Sequence, residues 1–554
     1  MTIPGSLSSP LLASATGAAP GVFEVSKSIR FNSSDSSFLN RTPSSASNRR
    51  TWTWSGWVKR SVLGSQKLFV AGVGGTEGGI QFHSGTGNDC IELYDYNSSY
   101  VTQLDTSQLF RDVSAWYHIV FAYDTTQSTA ANRVKLYING SQVTDFATAT
   151  YPSQNYEGFV NNNIAHTIGA ISNPSGFFNG YLAEINFVDG SALDPTSFGG
   201  FDTSGVWQAT DTAGLSFGTN GFRLQFADNS GATATTLGKD TSGNSNNWTP
   251  NNLSVTAGIG NDSFVDSPTN GTASSGGDAG GVTVGSYATW NPLSIASATY
   301  KQGNLLISSP SNNVFTTTLA VSSGKHYVEI LVEGAAGAIG LFKVDDPSGD
   351  VTGEMGWLDG GAGFRYDKDG TVFTNQNVVS YGNSYTSGDI IGIALDMDNG
   401  KVFFSKNGTF QNSGVPTSGA NPAFSSLSGT FAFAVGSSVG GDAYTLNAGQ
   451  RSFYTAAPSG FTALCSTNLA STAVKTTGSY KGNSSADGPF VFLNGVPTAM
   501  TIGGSAVTFG TGIDRLSNGF KLRSSSTNNS NGTSYSFSVT TSGDAIKNSR
   551  AQAN

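Results

Sequence analysis

One segment, residues 116–140, constrains the fold strongly because it alternates polar and apolar residues, as a β-strand does, and ends in a dipeptide that favours a tight turn. In WYHIVFAYD, polar and apolar positions alternate, which is the period of a strand with one buried face. A polar loop follows, and VKLYING then ends in Asn139-Gly140, a pair that favours a tight hairpin turn. The segment therefore predicts antiparallel strands.

The composition extends this prediction to the whole chain of 554 residues. Charged residues make up only 12%, while the chain contains 71 Gly, 35 Phe, 19 Tyr and 8 Trp. Helices need Ala, Leu, Glu, Lys and Arg, whereas glycine-rich turns and aromatic residues suit short strands. We therefore predict an all-β protein, whose length is enough for about three or four modules.

Charge and residue counts exclude several classes of function. The net charge of −9 argues against nucleic-acid binding, and the longest apolar run, residues 390–397, is too short to predict membrane insertion. Cys90 and Cys465 lie far apart, which makes a disulfide improbable, and the four histidines include no close pair. The residue counts thus argue against a zinc centre, and the sequence predicts no cofactor.

The first module is predicted to span residues 25–250, after an N-terminal arm or anchor at residues 1–24. Its strands are separated by Gly, Asn and Ser turns, as in a β-sandwich. In the strand at 181–188, strict alternation places the following residues on the core face: Tyr181, Ala183, Ile185 and Phe187.

Four segments of this module carry a family resemblance: TWTWSGWVKR, W-x-H-I-V-F-x-Y-D, the strand ending in LYING, and FNGYLAEINFVDG. In this order and spacing they resemble the concanavalin-A-like lectin and laminin-G superfamily, which implies a jelly-roll sandwich. The segments that follow, FGTNGFRLQFAD, LGKDTSGNSNNWTPNNLS and DSFVDSPTN, are similar to an extension found in structural proteins of tailed bacteriophages.

Residues 251–287 lose the alternation and are rich in Gly, Ser and Thr, which predicts a linker or a long surface loop. A second module follows at residues 288–465. Its segments SGKHYVEILVEG and SGDIIGIALDMDNGKVFFSKNG, with hairpin turns at 398–400 and 407–408, resemble the SPRY domain, a β-sandwich used for binding. Residues 466–554 predict a small C-terminal β-module.

The chain offers no convincing catalytic motif, so we expect it not to be an enzyme. Glycosidases of the lectin-like fold need two carboxylates on one strand face, but Glu184 and Asp189 are five residues apart and therefore on opposite faces. Residues 436–440 match G-x-S-x-G without the following helix that this motif requires. The calcium-like fragments 367–370 and 396–400 are interpreted as hairpin turns, although the resemblance implies a structural Ca²⁺ in the first module, with no ligands identifiable.

Sugar binding requires exposed aromatic rings beside polar groups. The tryptophans 52, 54, 57 and 116 fall on strand positions and are interpreted as core. Other aromatic residues are candidate ligand contacts, with a role in the core or in strand pairing as the competing interpretation for each: Tyr94, Tyr96, Tyr100, Trp357 and Tyr366.

Two binding folds in series, as in the phage proteins that the chain resembles, lead us to expect a virion protein. The first hypothesis is a tail fibre or host-recognition adhesin that binds a cell-surface glycan or protein. The resemblance further implies a homotrimer. We expect the N-terminal arm, residues 1–24, to attach it to other virion proteins. The alternatives are a capsid- or tail-decorating structural protein and a polysaccharide depolymerase.

Overall fold

The structure, a computed structural model, describes the following residues: 23–84, 89–203, 205–272, 283–294, 298–309, 313–335, 337–345, 355–356, 362–437, 441–469, 475–510, 512–542 and 550–552. Over these ranges the chain is built from strands, without an α-helix, which confirms the predicted all-β class. Five single 3-10 turns occur, at Ser33–Asp35, Ala130–Asn132, Pro195–Ser197, Gln411–Ser413 and Ser466–Asn468. No helix in the described part of the chain is long and apolar enough to cross a membrane. The predicted N-terminal arm lies almost entirely outside the described residues.

The first module is a sandwich of two eight-stranded sheets. Its strands are β1 (Ser28–Phe31), β2 (Phe38–Arg41), β3 (Thr51–Arg60), β4 (Gln66–Val73), β5 (Thr76–His83), β6 (Cys90–Asn97), β7 (Tyr100–Thr106), β8 (Tyr117–Asp124), β9 (Val134–Ile138), β10 (Ser141–Val143), β11 (Phe146–Thr150), β12 (His166–Ile168), β13 (Gly180–Asp189), β14 (Gly199–Phe201), β15 (Trp207–Ala209), β16 (Phe222–Leu224), β17 (Thr249–Asn251) and β18 (Ser263–Phe264).

One sheet has the order β10-β9-β8-β3-β13-β1-β18, with β16 beside β13, and the other has the order β11-β7-β6-β5-β4-β12-β2-β17. The predicted antiparallel strands are confirmed, since β8 pairs with β9. The predicted tight turn at Asn139 and Gly140, where both φ angles are positive, joins β9 to β10. Trp52 and Trp54 of β3 lie in the core between the sheets.

The outer face of the first sheet is also buried, under a second apolar layer. It contains Trp57 of β3, Trp116 just before β8, Trp207 of β15 and, from the second module, Leu305. All four tryptophans that the sequence assigned to the core are therefore buried, although they divide between two layers.

The prediction that Tyr181, Ala183, Ile185 and Phe187 share one core face of β13 was half wrong. A β-bulge interrupts the alternation of side chains between the two faces of this strand. The pairing of β13 with β3 shifts between Ala183 and Asn186, and Glu184 has a φ of 43°. Ile185 and Phe187 face the main core as predicted. Before the bulge the side chains point the other way, so Tyr181 and Ala183 lie in the outer layer instead.

The second module is again a pair of sheets. Its strands are β19 (Gly271–Thr272), β20 (Thr283–Val284), β21 (Thr299–Lys301), β22 (Leu306–Ser309), β23 (Asn313–Val321), β24 (Lys325–Val332), β25 (Ala338–Lys343), β26 (Gly363–Asp367), β27 (Thr371–Thr374), β28 (Asn377–Ser380), β29 (Ile390–Asp396), β30 (Lys401–Lys406), β31 (Thr409–Phe410), β32 (Phe431–Ser437), β33 (Asp442–Asn447) and β34 (Thr462–Ala463).

One sheet has the order β21-β22-β33-β24-β29-β30-β31, with β34 beside β24, and the other has the order β23-β32-β25-β26-β27-β28; β19 and β20 pair separately. A large apolar core that includes Trp290, Ile330 and Phe404 lies between them. The hairpin turns predicted at 398–400 and 407–408 join β29 to β30 and β30 to β31. The tandem arrangement of sandwiches is thus confirmed.

The segment 251–287, predicted as a linker, is an integral part of the fold wherever it is described. Ser263 and Phe264 form β18 and extend the first sheet beside β1. Asp266 is buried and pairs with Lys59 at 3.0 Å, while the same lysine donates to the carbonyl of Tyr287. Composition suggested a flexible chain, but these buried polar contacts fix it between the two modules.

The C-terminal module consists of a four-stranded and a three-stranded sheet around a small apolar core. Its strands are β35 (Thr477–Lys481), β36 (Phe490–Phe492), β37 (Val496–Ile502), β38 (Ser505–Val507), β39 (Ile513–Leu516), β40 (Gly519–Leu522) and β41 (Ser534–Ser542).

Buried polar contacts join the three modules. Tyr181 of the first module donates its hydroxyl to the carbonyl of Gly303 in the second, at 2.8 Å. Asp112 of the first module accepts a hydrogen bond from the backbone of Ser517 in the third, at 2.7 Å. After the third module the chain returns to the first, where Arg550 pairs with Trp116 in a β-bridge. Few of these long-range contacts could be read from the sequence.

Candidate functional site

An exposed aromatic surface of the first module lies where β4 turns into β5 and β6 turns into β7. We call residues 73–76 and 96–100 the tip surface. The amide of Ser98 donates to the carbonyl of Gly75 at 3.0 Å, so the two turns form one continuous surface. Glycines 74 and 75 have positive φ angles that keep the first turn tight.

The tip surface offers both apolar and polar groups to solvent. Tyr100 is 42% exposed and Val73 is 40% exposed, and the half-buried ring of Tyr96 contacts that of Tyr100 edge-to-face at 5.1 Å. Asn97 and Ser99 lie between the two tyrosines on the same exposed turn. An aromatic face beside amide and hydroxyl groups is the chemistry that binds a pyranose ring.

Tyr94, the third tyrosine predicted for this site, has a different environment. Its ring is buried, its hydroxyl donates to Glu77 at 3.0 Å, and it accepts from Lys67 at 2.7 Å. The Lys67 ammonium also lies 4.5 Å from the centre of the ring. Tyr94 therefore stabilises the sheet and has no free face for a ligand, which favours the competing strand-pairing interpretation.

Of the two candidates in the second module, only Tyr366 is described, since Trp357 lies outside the described residues. Tyr366 is fully buried, and its ring stacks on Phe404 at 5.5 Å. Its hydroxyl donates to the carbonyl of Asn383. Tyr366 is thus a core residue, because an aromatic residue on a strand between two sheets packs inward, and it is removed from the candidate site.

The two carboxylates considered for catalysis are both engaged in the structure. Glu184 is buried at the bulge, accepts from the guanidinium of Arg223 at 2.5 Å, and has its pKa raised by burial. Asp189 accepts from the amide side chain of Asn161 at 2.6 Å and from the backbone of Asn220 at 3.0 Å. Glu184 therefore acts as a structural hydrogen-bond acceptor at the bulge.

Turn geometry explains the calcium-like fragment 396–400. Asp396 accepts from the backbone and the side chain of Asn399, and it pairs with Lys325 at 2.9 Å. These contacts close the hairpin between β29 and β30. In the G-x-S-x-G match, Gly436 and Ser437 belong to strand β32, while residues 438–440 lie outside the described residues.

A group of polar side chains that the sequence did not single out lies at the other end of β5 and β6. His83 and Cys90 face each other across these strands, and Asp105 of β7 completes a group whose donor atoms all lie within 4.8 Å of one another. Glu92 lies beside them, with a carboxylate oxygen 3.7 Å from Nδ1 of His83. The sequence signal for this group is a histidine and a cysteine seven residues apart, at the end of β5 and the start of β6. A search for pairs of histidines or pairs of cysteines does not detect it.

Comparison with known families supports the two sandwich assignments. Residues 33–197 match the model of the concanavalin A-like lectin/glucanases superfamily, and residues 325–451 match the model of the SPRY domain. No curated protein matches the chain.

Two solved structures illustrate the similarity. The SPRY domain of human HERC1 is 16% identical, covers 28% of this chain and 96% of its own, and has a TM-score of 0.22. The native heptameric SAP-like pentraxin from Limulus polyphemus is 15% identical, covers 31% of this chain and 79% of its own, and has a TM-score of 0.24. From the two family matches we conclude that the chain contains a concanavalin A-like domain followed by a SPRY domain.

Proposed function

We propose that the protein is a non-catalytic binding protein of a tailed-bacteriophage virion, a tail fibre or similar adhesin that recognises a glycan or protein on the host surface. The observation that carries the binding role is the tip surface, where Tyr96, Tyr100 and Val73 are accessible beside polar groups. The virion context rests on the resemblance of residues 217–270 to the extension found in phage structural proteins.

The assembly follows from the same resemblance. Such appendages are trimers, and three tip surfaces in one particle would raise the overall affinity through multivalency even if each site binds weakly. The N-terminal arm, residues 1–24, would attach the protein to other virion proteins. The mass of the purified protein in solution tests the trimer directly.

The binding role is tested with the full-length protein on an array of bacterial surface polysaccharides and on intact bacterial cells. We expect binding that Tyr100→Ala weakens at least about tenfold, because an aromatic hot-spot contact contributes about 2 kcal/mol or more and about 1.4 kcal/mol is a factor of ten. The matched control is Tyr454→Ala, which removes a tyrosine that is 66% exposed on the second module.

Periodate treatment of the cells separates the two ligand classes. Loss of binding after oxidation identifies a glycan, and unchanged binding identifies a protein receptor. Absence of binding by the correctly assembled protein would contradict the adhesin and favour the decorating role. Labelled antibody then distinguishes a protein spread over the capsid or tail tube from one at the tail tip, and a fall in polysaccharide viscosity would reveal a depolymerase.

A further inference from the structure

The group of His83, Cys90, Glu92 and Asp105 lies on one face of three neighbouring strands. Their neighbours in sequence, Phe82, Ile91 and Leu104, point into the core. Because successive side chains of a strand point to opposite faces of the sheet, the four polar side chains lie together on the face away from the core. Direct cross-strand pairing sets His83 opposite Cys90 and Glu92 opposite Asp105.

The spacing of the donor atoms matches the coordination shell of a small metal ion. Nδ1 of His83 lies 3.7 Å from a carboxylate oxygen of Glu92 and 3.7 Å from one of Asp105. The donor atoms of His83, Cys90 and Asp105 all lie within 4.8 Å of one another. In a tetrahedral zinc site with bonds of roughly 2.0–2.3 Å, neighbouring ligand atoms are roughly 3.3–3.7 Å apart, so small side-chain rotations are sufficient.

The electrostatics of the group also favour a cation. The carboxylates of Glu92 and Asp105 are 0% and 1% exposed, and they occupy directly opposite positions on adjacent strands, where like charges repel. The side-chain amide of Gln103 donates to both carboxylates, at 3.1 Å to Glu92 and 3.3 Å to Asp105, and so offsets part of this repulsion. Nδ1 of His83 is buried and has no hydrogen-bond partner among the described residues. A divalent ion between these groups would offset the repulsion and occupy the imidazole nitrogen.

We propose that His83, Cys90, Glu92 and Asp105 form a binding site for a zinc-type divalent transition-metal ion. The combination of a thiolate, an imidazole and carboxylates selects such an ion, whereas Ca²⁺ and Mg²⁺ are bound by oxygen ligands alone. The site is separate from the tip surface, because β5 and β6 place them seven residues apart, or roughly 23 Å at about 3.3 Å per residue. Its role is to fasten the end of the β5–β6 hairpin.

Metal binding at this site must release a proton. A cysteine thiol is ordinarily protonated at neutral pH, whereas the form that binds a metal is the thiolate. Coordination replaces the S–H bond by a metal–sulfur bond, and the proton passes to the buffer. No oxidant or reductant takes part.

The test is a titration of the chelator-treated full-length protein with Co²⁺ and with Zn²⁺. We expect one Co²⁺ per chain with a thiolate-to-metal charge-transfer band, displacement of Co²⁺ by Zn²⁺, and an increase in melting temperature on Zn²⁺ addition. Calorimetry in buffers of different ionisation enthalpy should show the released proton. A titration without binding would overturn the proposal and leave His83 as an ion-pairing partner of the two carboxylates.

Variants locate the ion. Cys90→Ser should abolish the charge-transfer band, whereas the matched control Cys465→Ser, at the other buried cysteine, should retain it. His83→Gln should weaken binding by more than the roughly 10–100-fold that loss of an outer-shell group costs. His83 is partly exposed at a strand end, so this variant reports on the site even if Cys90→Ser fails to fold. A band that survives Cys90→Ser, or is lost in Cys465→Ser, would contradict the assignment.

Discussion

The guanidinium of Arg550 lies 4.5 Å from the centre of the Trp57 ring, in the outer layer of the first module. It also donates to the carbonyls of Trp207, at 2.5 Å, and Pro268, at 2.6 Å. Burial lowers its pKa to about 9, so the side chain remains charged at neutral pH. A single side chain that follows the third module thus completes a layer of the first.

Arg550→Ala should destabilise the first module by about 2–4 kcal/mol, because it leaves buried carbonyl groups without donors and removes the cation–π contact. Differential scanning calorimetry of the full-length protein measures this loss. The matched control is Arg50→Ala, since Arg50 forms an exposed ion pair with Glu157 and should change stability by less than about 1 kcal/mol. Equal effects of the two changes would show that the Arg550 contacts are unimportant.

Two buried histidines should make the first module sensitive to acid. Burial lowers the pKa of His118 to about 3 and that of His166 to about 4. In the unfolded chain both have a pKa of about 6.5, so the unfolded state binds more protons below that pH. Stability is therefore lost as the pH falls from about 6.5, by about 2 kcal/mol for each histidine at about pH 5. Urea denaturation across this pH range measures how steeply the free energy of unfolding falls with pH. His118→Gln should reduce that dependence by about half.

Asp95 should act in the opposite direction. It is fully buried, and burial raises its pKa to about 7, well above the usual value near 3.8. Between these two pKa values the folded protein binds a proton that the unfolded chain does not bind. The free energy of unfolding therefore falls as the pH rises from about 4 to about 7, by up to about 4 kcal/mol. Asp95→Asn should remove this loss and stabilise the protein at about pH 8. A variant that unfolds more easily at that pH than the parent would contradict the prediction.

The ion pair at the bulge gives a further test. Among the described residues, Glu184→Ala leaves the buried guanidinium of Arg223 with the exposed carboxylate of Asp211 as its counter-ion, and it should destabilise the protein by about 3–5 kcal/mol. Glu184→Gln should cost less because the amide oxygen still accepts a hydrogen bond. The control is Asp211→Asn, whose effect should stay below about 1 kcal/mol. The midpoint of urea denaturation distinguishes these outcomes.

Local patterns predicted local structure well. The turn at Asn139 and Gly140 depends only on two residues that tolerate positive φ, and the structure places it between β9 and β10. The family motifs depend on order and spacing, and they located both sandwiches. Neither kind of signal requires knowledge of distant contacts.

Distant contacts explain what the sequence could not predict. The bulge at Glu184 is stabilised by Arg223, which lies 39 positions later, and no periodicity indicates that pairing. Asp266 lies in a glycine-rich segment, yet Lys59, 207 positions earlier, fixes it inside the molecule. The assignment of Tyr94 and Tyr366 as candidate contacts failed for the same reason, since composition does not reveal which face of a strand another sheet covers.

The position of Arg550 also has a consequence for biosynthesis. Arg550 and Trp207 are 343 positions apart, and ribosomes add roughly 5–20 residues per second, so the interval between their synthesis is roughly 20–70 s. During that interval the nascent first sandwich lacks the guanidinium that covers Trp57. The uncovered indole is then open to a chaperone, or to a neighbouring chain on the same messenger RNA.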